Sequence, residues 1–176
     1  MRNSTLDSDE DRVNGIIIRY ATQANARAIL ECHHSAVHES AAGHYPREIL
    51  NEWSPPVTAE RVTAYIATAL PHETTLVAEI DGAVVGFGAL VEAQSEVRAV
   101  YVSHSAARQG VGSALLREIE GLARARGCAE LTFDSSLTAE RFYLRHGYAG
   151  GARGVHALSS GGRMACVTMT KKLVLP

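Results

Sequence analysis

The residues best suited to chemistry lie in one glycine-bearing turn, RQGVGS, at residues 108–113. Gly110 and Gly112 precede apolar residues at helical spacing, which predicts a long amphipathic helix from this turn to Gly127. The first amide groups of a helix have no partner within it, and the helix dipole places positive charge at the same end. The turn therefore predicts an anion site, whose usual occupant is phosphate.

Two known glycine motifs do not match this turn. A dinucleotide-binding fingerprint needs a third glycine where Leu115 stands, and a P-loop needs Gly-Lys-Ser/Thr, which the sequence lacks. A phosphotransferase is further disfavoured because no metal-binding acidic pair accompanies the turn. Glycines would also serve a tight turn that binds nothing, so the turn by itself leaves the ligand open.

Histidine and aromatic residues concentrate between residues 22 and 69. They are His33, His34, His38, His44, Tyr45 and Trp53. His34 and His38 have the i, i+4 spacing of a zinc-protease motif, but Ser35 stands where that motif carries its glutamate. No third ligand is evident, so we expect no metal and interpret the histidines as a pocket wall or a solvent-facing surface.

Hydrophobic periodicity and turn signals predict the elements that must position the turn. Strands are predicted at residues 16–20, 74–80, 83–91, 97–102, 129–135, 155–158 and 164–171. Helices are predicted at residues 22–40, 46–53, 58–70, 111–126 and 138–146. This order predicts an α+β fold with a mixed sheet, not a repeating βαβ array.

Composition narrows the class of protein. The 176 residues are 46% hydrophobic and 20% charged, which predicts one globular domain over residues 15–176 after a polar, loosely ordered tail at residues 1–14. A net charge of −2 disfavours nucleic-acid binding, and no apolar run approaches the roughly 18 residues of a membrane span. Three separated cysteines predict reduced thiols in a cytoplasmic protein.

Two blocks carry a family resemblance. The segment VYVSHSAARQGVGSALL (residues 100–116) resembles motif A of the GCN5-related N-acetyltransferase (GNAT) superfamily, in which a strand ending in Val-x-Pro precedes Arg/Gln-x-x-Gly-x-Gly/Ala and a long helix. The segment SLTAERFYLRHGY (residues 136–148) resembles the family's Asn-x-x-Ala-x-x-Phe-Tyr-x-x-x-Gly-Phe region. The resemblance, over residues 16–173, implies a mixed, mostly antiparallel sheet of about seven strands flanked by helices, with a splayed central strand pair.

The sequence departs from the family pattern at three positions. His104 stands where proline is common, Ala107 stands where the first Arg/Gln is expected, and Thr138 replaces the frequent asparagine. None of these changes removes a backbone amide from the turn, so the expected pyrophosphate site is retained. Arg108 is the substitute side chain for the missing Arg/Gln.

The resemblance implies that the cosubstrate is acetyl-CoA and that no metal is needed. Its pyrophosphate would rest on the turn amides, and its pantetheine arm would pair with an open strand edge. The implied cofactor-binding residues are Val100, Tyr101, Val102, Arg108, Gln109, Gly110, Val111, Gly112, Ser113, Thr138 and Phe142.

The resemblance further implies that Tyr143 protonates the CoA thiolate, although an ordinary core aromatic would show the same helical spacing. An alkyl amine, with a pKa near ~10, also needs a base at neutral pH. Glu96 is the first candidate, placed by strand periodicity on one face with Arg98, Val100 and Val102, and Glu92 is the second. Either would act through water.

The expected acceptor is a primary amine of a small molecule or peptide, bound by His33, Tyr45 and Trp53. We expect neither nucleic-acid nor membrane partners, and the resemblance is compatible with a homodimer. The alternative hypothesis is a GNAT-fold module that binds CoA for sensing or regulation without turnover.

Overall fold

The computed structural model describes residues 15–175, and the predicted N-terminal tail at residues 1–14 lies outside the described residues. The strands are β1 (Ile17–Tyr20), β2 (Thr74–Ile80), β3 (Ala83–Val91), β4 (Glu96–Val102), β5 (Glu130–Ser136), β6 (Ala149–Ala157) and β7 (Arg163–Lys172). The α-helices are α1 (Ala26–Ser35), α2 (Arg47–Trp53), α3 (Ala59–Thr68), α4 (Val111–Ala125) and α5 (Glu140–Arg145). None of these helices is long and apolar enough to cross a membrane.

The strands form two antiparallel sheets that meet at β4 and β5. The first sheet has the order β1-β2-β3-β4, and the second has the order β5-β7-β6. At the point of meeting, Thr132 N–H donates to the Ser95 carbonyl over 3.2 Å. Beyond this bond β4 and β5 belong to different sheets. The predicted mixed α+β fold with a splayed central strand pair is confirmed.

The first sheet is covered on both faces. Helix α4 packs on one face with Leu115, Leu116 and Ile119 in the main core, and α1 packs on the other face through Ile29. Gly88 of β3 lies directly beneath α4, where an added Cβ would stand 2.5 Å from the Ile119 Cδ1 atom. Glycine at this position therefore lets the long helix lie close to the sheet.

A β-bulge in β4 overturns one sequence prediction. The pairing with β3 shifts between Ala89 and Leu90, so that Leu90 is opposite Val97 while Ala89 is opposite Ala99. Val97 therefore joins Val100 and Val102 in the core beneath α4. The prediction that Glu96 shares a face with Val100 and Val102 is wrong, because the extra residue breaks the period of two. Glu96 shares a face with Ala99 and Tyr101 instead.

Element boundaries differ from the predictions at three places. The predicted helix at residues 22–40 is a 3₁₀ turn, Gln23–Asn25, followed by α1 and a π-helical turn, Ala36–Ser40. Strand β6 begins at Ala149, well before the predicted residue 155, within a fully exposed segment whose glycines gave no strand signal. Helix α5 begins only at Glu140, because residues 136–139 form a turn closed by an Ala139 N–H to Ser136 O bond of 3.1 Å.

Candidate active site

A groove of about 910 Å³ opens where β4 and β5 separate. Its walls come from both strands, from the start of α4, from α5, and from the segment between α1 and α2. The predicted site residues that line it are Trp53, Glu96, Val100, Tyr101, Val102, Arg108, Gly110, Gly112, Ser113, Thr138, Phe142 and Tyr143. The splay therefore brings residues from separate parts of the chain into one cavity.

The glycine-bearing turn forms one end of the groove. Arg108 and Gly110 have positive φ angles of 64° and 89°, and this sharp turn leads directly into α4. The first backbone bond of the helix is from Ala114 N–H to Gly110 O at 3.0 Å. The preceding amides have no backbone acceptor among the described residues, which leaves them available to an anion at this helix start.

Two predicted cofactor residues are not brought into the groove lining as side chains. Gln109 is exposed and donates to the Ser105 carbonyl over 3.1 Å. Val111 is 1% exposed and belongs to the main core. Their backbone amides still belong to the turn, so any ligand contact from these two residues is a main-chain contact.

Tyr143 lies in an aromatic cluster on the opposite wall. Its ring lies 4.7 Å from that of Phe133 and 5.0 Å from that of Phe142. Burial, followed by the charge of an ionised Tyr101, raises the pKa of Tyr143 above its ordinary value. The phenol is therefore kept protonated, which is the state a proton donor requires.

Thr138 presents a polar atom that the protein leaves unused. Its Oγ1 is buried and has no hydrogen-bond partner among residues 15–175, and the residue lines the groove. A buried hydroxyl without a partner is costly, so a ligand group that bonds to it would gain stability. Gly112 adds space nearby, since a Cβ there would lie 3.4 Å from the Phe142 ring.

The two candidate bases occupy different places. Glu96 lines the groove, and its carboxylate oxygens accept from Arg98 Nε at 3.0 Å and Arg98 Nη2 at 2.9 Å. Glu92 lies outside the groove lining, where it accepts from Thr74 and pairs with Arg126. Geometry therefore favours Glu96, already ordered by its arginine, as the carboxylate that faces a substrate.

Only one of the three residues predicted to bind the acceptor lines the groove. Trp53 lines the groove, whereas His33 and Tyr45 lie behind it. The Tyr45 hydroxyl donates to the Ala165 carbonyl at 2.8 Å and accepts from Leu137 N–H at 2.7 Å. Tyr45 thus fastens the end of β5 to β7, and its polar group is already used.

His33 supports the aromatic wall from behind. Its ring lies 4.5 Å from that of Tyr101, and its Nδ1 forms a hydrogen bond of 3.1 Å with the Ser54 hydroxyl. Burial, followed by the nearby Arg61 charge, lowers the pKa of His33 to about 3. The ring is therefore neutral at physiological pH and acts as a packed, hydrogen-bonded support for Tyr101.

His34 and His38 form hydrogen bonds with the same residue, Ser54, as His33 does. His34 Nδ1 and His38 Nε2 lie 3.0 Å and 2.8 Å from the Ser54 carbonyl, to which each donates. Residues 15–175 contain no group of three or more side chains able to hold a metal ion.

Sequence reasoning missed three groove residues. His146 lies between α5 and the start of α4, while Asp134 and His156 face each other with 3.8 Å between Oδ2 and Nδ1. Asp134 and His156 come from β5 and β6, which are not neighbours in their sheet. Strand order was needed to find that pair, whereas the i, i+3 spacing of Tyr143 and His146 was a signal available in the sequence.

The match to a known family agrees with this geometry. The sequence profile of the acetyltransferase (GNAT) domain matches residues 40–164, which is more than half of the chain. The protein therefore belongs to the GNAT acetyltransferase family, and acetyl transfer is its general class of reaction. No curated protein matched the chain.

Solved structures of the family share the fold. A GCN5-related N-acetyltransferase from Rhodopseudomonas palustris is 29% identical with a TM-score of 0.81, over 89% of this chain and 94% of that chain. YncA, an acetyltransferase from Salmonella typhimurium solved with its cofactor acetyl-CoA, is 25% identical with a TM-score of 0.66, over 92% and 95%. PaiA N-acetyltransferase from Thermoplasma acidophilum, solved with coenzyme A, is 19% identical with a TM-score of 0.67, over 89% and 98%, and supports the fold alone.

Proposed function

We propose that this protein transfers an acetyl group from acetyl-CoA to a primary amine of a small molecule or peptide. One observation carries the proposal: a protonated Tyr143 and a helix-start anion site lie in one groove, between strands that splay apart. The groove thus joins a proton donor to a phosphate site, as transfer from a phosphate-bearing thioester requires.

The residues present are suited to acetyl-CoA. The amides at the start of α4 and the Arg108 side chain would hold the pyrophosphate. The free edge of β4 would pair with the amides of the pantetheine arm, and Thr138 offers a hydroxyl with no partner among the described residues. Phe142 would supply an apolar surface beside the turn.

Bound acetyl-CoA would supply an activated acetyl group, so that a C–N bond forms to the amine while the C–S bond breaks. Tyr143 would donate its proton to the leaving sulfur. A backbone N–H near Tyr101 or Val102 would polarise the thioester carbonyl. Glu96 would accept the amine proton through water, because Arg98 holds its carboxylate in place at the groove wall.

The groove residues around Trp53 are suited to an amine substrate. Trp53 and Tyr101 supply an aromatic surface, and the Glu96 and Asp134 carboxylates lie at the same groove. Such a wall suits a cationic group on an apolar body. We also propose a reducing, cytoplasmic setting, to which the buried free thiols Cys32, Cys128 and Cys166 are suited.

The test is release of free thiol from acetyl-CoA with a panel of polyamines, amino acids, aminoglycosides and peptides. For the best acceptor, Tyr143→Phe should lower kcat roughly 10²-fold while the Kd for acetyl-CoA stays unchanged, since general-acid catalysis contributes at least that much. Tyr148→Phe is the matched control, because Tyr148 packs 5.5 Å from the same ring but does not line the groove.

The alternative is a CoA-binding sensor without turnover. It requires acetyl-CoA binding, no thiol release with any acceptor, and no functional loss in Tyr143→Phe. Absence of a thermal shift with millimolar acetyl-CoA would contradict both hypotheses.

A further inference from the structure

His146 connects α5 to the phosphate end of the groove. Its Nε2 lies 2.9 Å from the Ser113 hydroxyl in the first turn of α4. Its Nδ1 lies 2.8 Å from the Phe142 carbonyl, and its ring packs 4.4 Å from the Phe142 ring. His146 and Ser113 both line the groove and are half-buried.

The two bonds determine the proton positions on the ring. A carbonyl can only accept, so His146 Nδ1 must carry hydrogen. In the neutral ring Nε2 is then bare, and the Ser113 hydroxyl must donate to it. The Ser113 proton therefore points at His146 and is withheld from any anion at the helix start.

Protonation of the ring reverses this second bond. An imidazolium carries hydrogen on both nitrogens, so Nε2 donates to the Ser113 oxygen and the Ser113 proton is free to turn into the groove. The helix start then offers an additional hydroxyl donor beside its amides, and the ring adds a positive charge nearby. Both changes favour a bound anion.

We propose that His146 is a positioning residue that acts through Ser113 and makes binding of the CoA pyrophosphate stronger when its imidazole is protonated. The inference rests on the proposed function, since it concerns the same phosphate site. It assigns a role to a residue outside the family motif positions and predicts proton uptake when the cosubstrate binds.

The charges around the ring are consistent with this linkage. Lys171 Nζ donates to the His146 carbonyl at 2.8 Å and is neutralised by both Glu120 oxygens at 2.7 and 2.9 Å. Arg108 and Arg145 line the same groove and, like an imidazolium, would attract a bound anion. A pyrophosphate beside the ring favours the protonated imidazole, so protonation is coupled to occupancy of the site.

The test measures binding of acetyl-dephospho-CoA by titration calorimetry at about pH 5.5 and about pH 8, on either side of the usual histidine range. This ligand keeps the pyrophosphate but lacks the 3′-phosphate, whose second ionisation near pH ~6 would obscure the effect. Wild type should bind roughly tenfold tighter at the lower pH, as expected when one hydrogen bond becomes charge-assisted. Near neutral pH, heats in buffers of different ionisation enthalpy should reveal proton uptake.

Three variants separate this role from a structural one. His146→Gln should bind with nearly the same Kd at both pH values and take up no proton, while His44→Gln, at an exposed histidine outside the groove, should behave as wild type. Ser113→Ala should weaken binding at the lower pH and have little effect at the higher pH. A purely structural Ser113 would show equal losses at both.

The outcomes distinguish the two proposals. Equal pH dependence in wild type and His146→Gln, or unchanged proton uptake, overturns the role of His146 while leaving acetyl transfer intact. A wild-type protein that binds neither this ligand nor acetyl-CoA at either pH contradicts the proposed function itself.

Discussion

At the scale of single residues, Glu96 owes its position to one inserted residue in its strand. The bulge in β4 turns Glu96 to the face that carries Tyr101, and Arg98 then orders both of its oxygens. The same side chain in a regular strand would point toward the core beneath α4. A backbone irregularity therefore decides whether this carboxylate can serve the groove.

If Glu96 is the base, Glu96→Gln should lower turnover roughly tenfold to a hundredfold near neutral pH. Its effect should become smaller as the pH approaches the pKa of the free amine. The reason is that a deprotonated amine needs no base. Initial rates of thiol release from about pH 6.5 to about pH 9.5 measure this effect.

Glu92→Gln is the matched control, since Glu92 lies outside the groove lining. A parallel drop at every pH in Glu96→Gln would argue against the base role. A changed profile in Glu92→Gln alone would assign the base to Glu92. If neither profile changes, the Asp134 and His156 pair is the remaining candidate in the groove.

At the scale of elements, the closeness of α4 to β3 determines where the glycine-bearing turn at residues 108–113 lies. Gly86 and Gly88 lie beneath this helix, with Val111 2.9 Å from an added Cβ at Gly86. Any side chain at these positions would push the start of α4 away from the splayed strands. The glycines in β3 thus position a turn that is distant from them in sequence.

Gly88→Ala should destabilise the protein by about 1–3 kcal/mol, because the new Cβ would overlap the fully buried Ile119. Urea unfolding measures the loss. Gly121→Ala is the matched control within α4, where nothing lies within 4 Å of an added Cβ. It should stabilise the helix by about 0.5–1 kcal/mol. A Gly88→Ala protein as stable as wild type would contradict this account of the packing.

Helix α2 and the β6–β7 hairpin form a second positioning unit. Tyr45, just before α2, bonds to both β7 and the segment after β5, and Glu52 Oε1 accepts from Gly162 N–H at 2.7 Å. These bonds fasten the helix that carries Trp53 to the far side of the groove. The groove wall that carries Trp53 is consequently supported by two elements that the sequence alone did not connect.

At the scale of the whole molecule, buried polar groups link stability to pH. Ser54 is fully buried and bonds to His33, His34 and His38, joining α1 to the segment after α2. The His33 ring is neutral in the folded protein because burial lowers its pKa to about 3. In the unfolded chain the ring would take up a proton near its ordinary value of ~6.5.

Below the ordinary histidine pKa of ~6.5, the unfolded state therefore binds more protons than the folded state. The stabilising contribution of the neutral His33 ring is complete above this pH and is lost as the pH falls toward 3. Between pH 7 and 5 we expect wild type to lose about 1–2 kcal/mol more than His33→Asn, which keeps a hydrogen-bonding group for Ser54 but does not titrate. Urea unfolding at both pH values measures the difference. Equal losses in wild type and His33→Asn would show that His33 does not cause the pH dependence of stability. His44→Gln, at an exposed position, is the control and should match wild type.

The sequence by itself determined the parts of the site that are contiguous in the chain. The glycine-bearing turn at residues 108–113, the start and length of α4, and the bounds of β2 and β3 depend on residues only a few positions apart. The motif spacing around Tyr143 likewise identified the family, which is confirmed. Local backbone preferences and periodicity are sufficient for such features because they act within one or two turns of chain.

Tertiary structure alone decided which side chains share the groove. The bulge reversed the face of Glu96, close packing placed Tyr45 and His33 behind the wall, and the splay left β4 with a free edge. His146 and Ser113 meet across 33 positions of sequence. Such contacts depend on strand register and on the fit of one element against another, which hydrophobic periodicity does not encode.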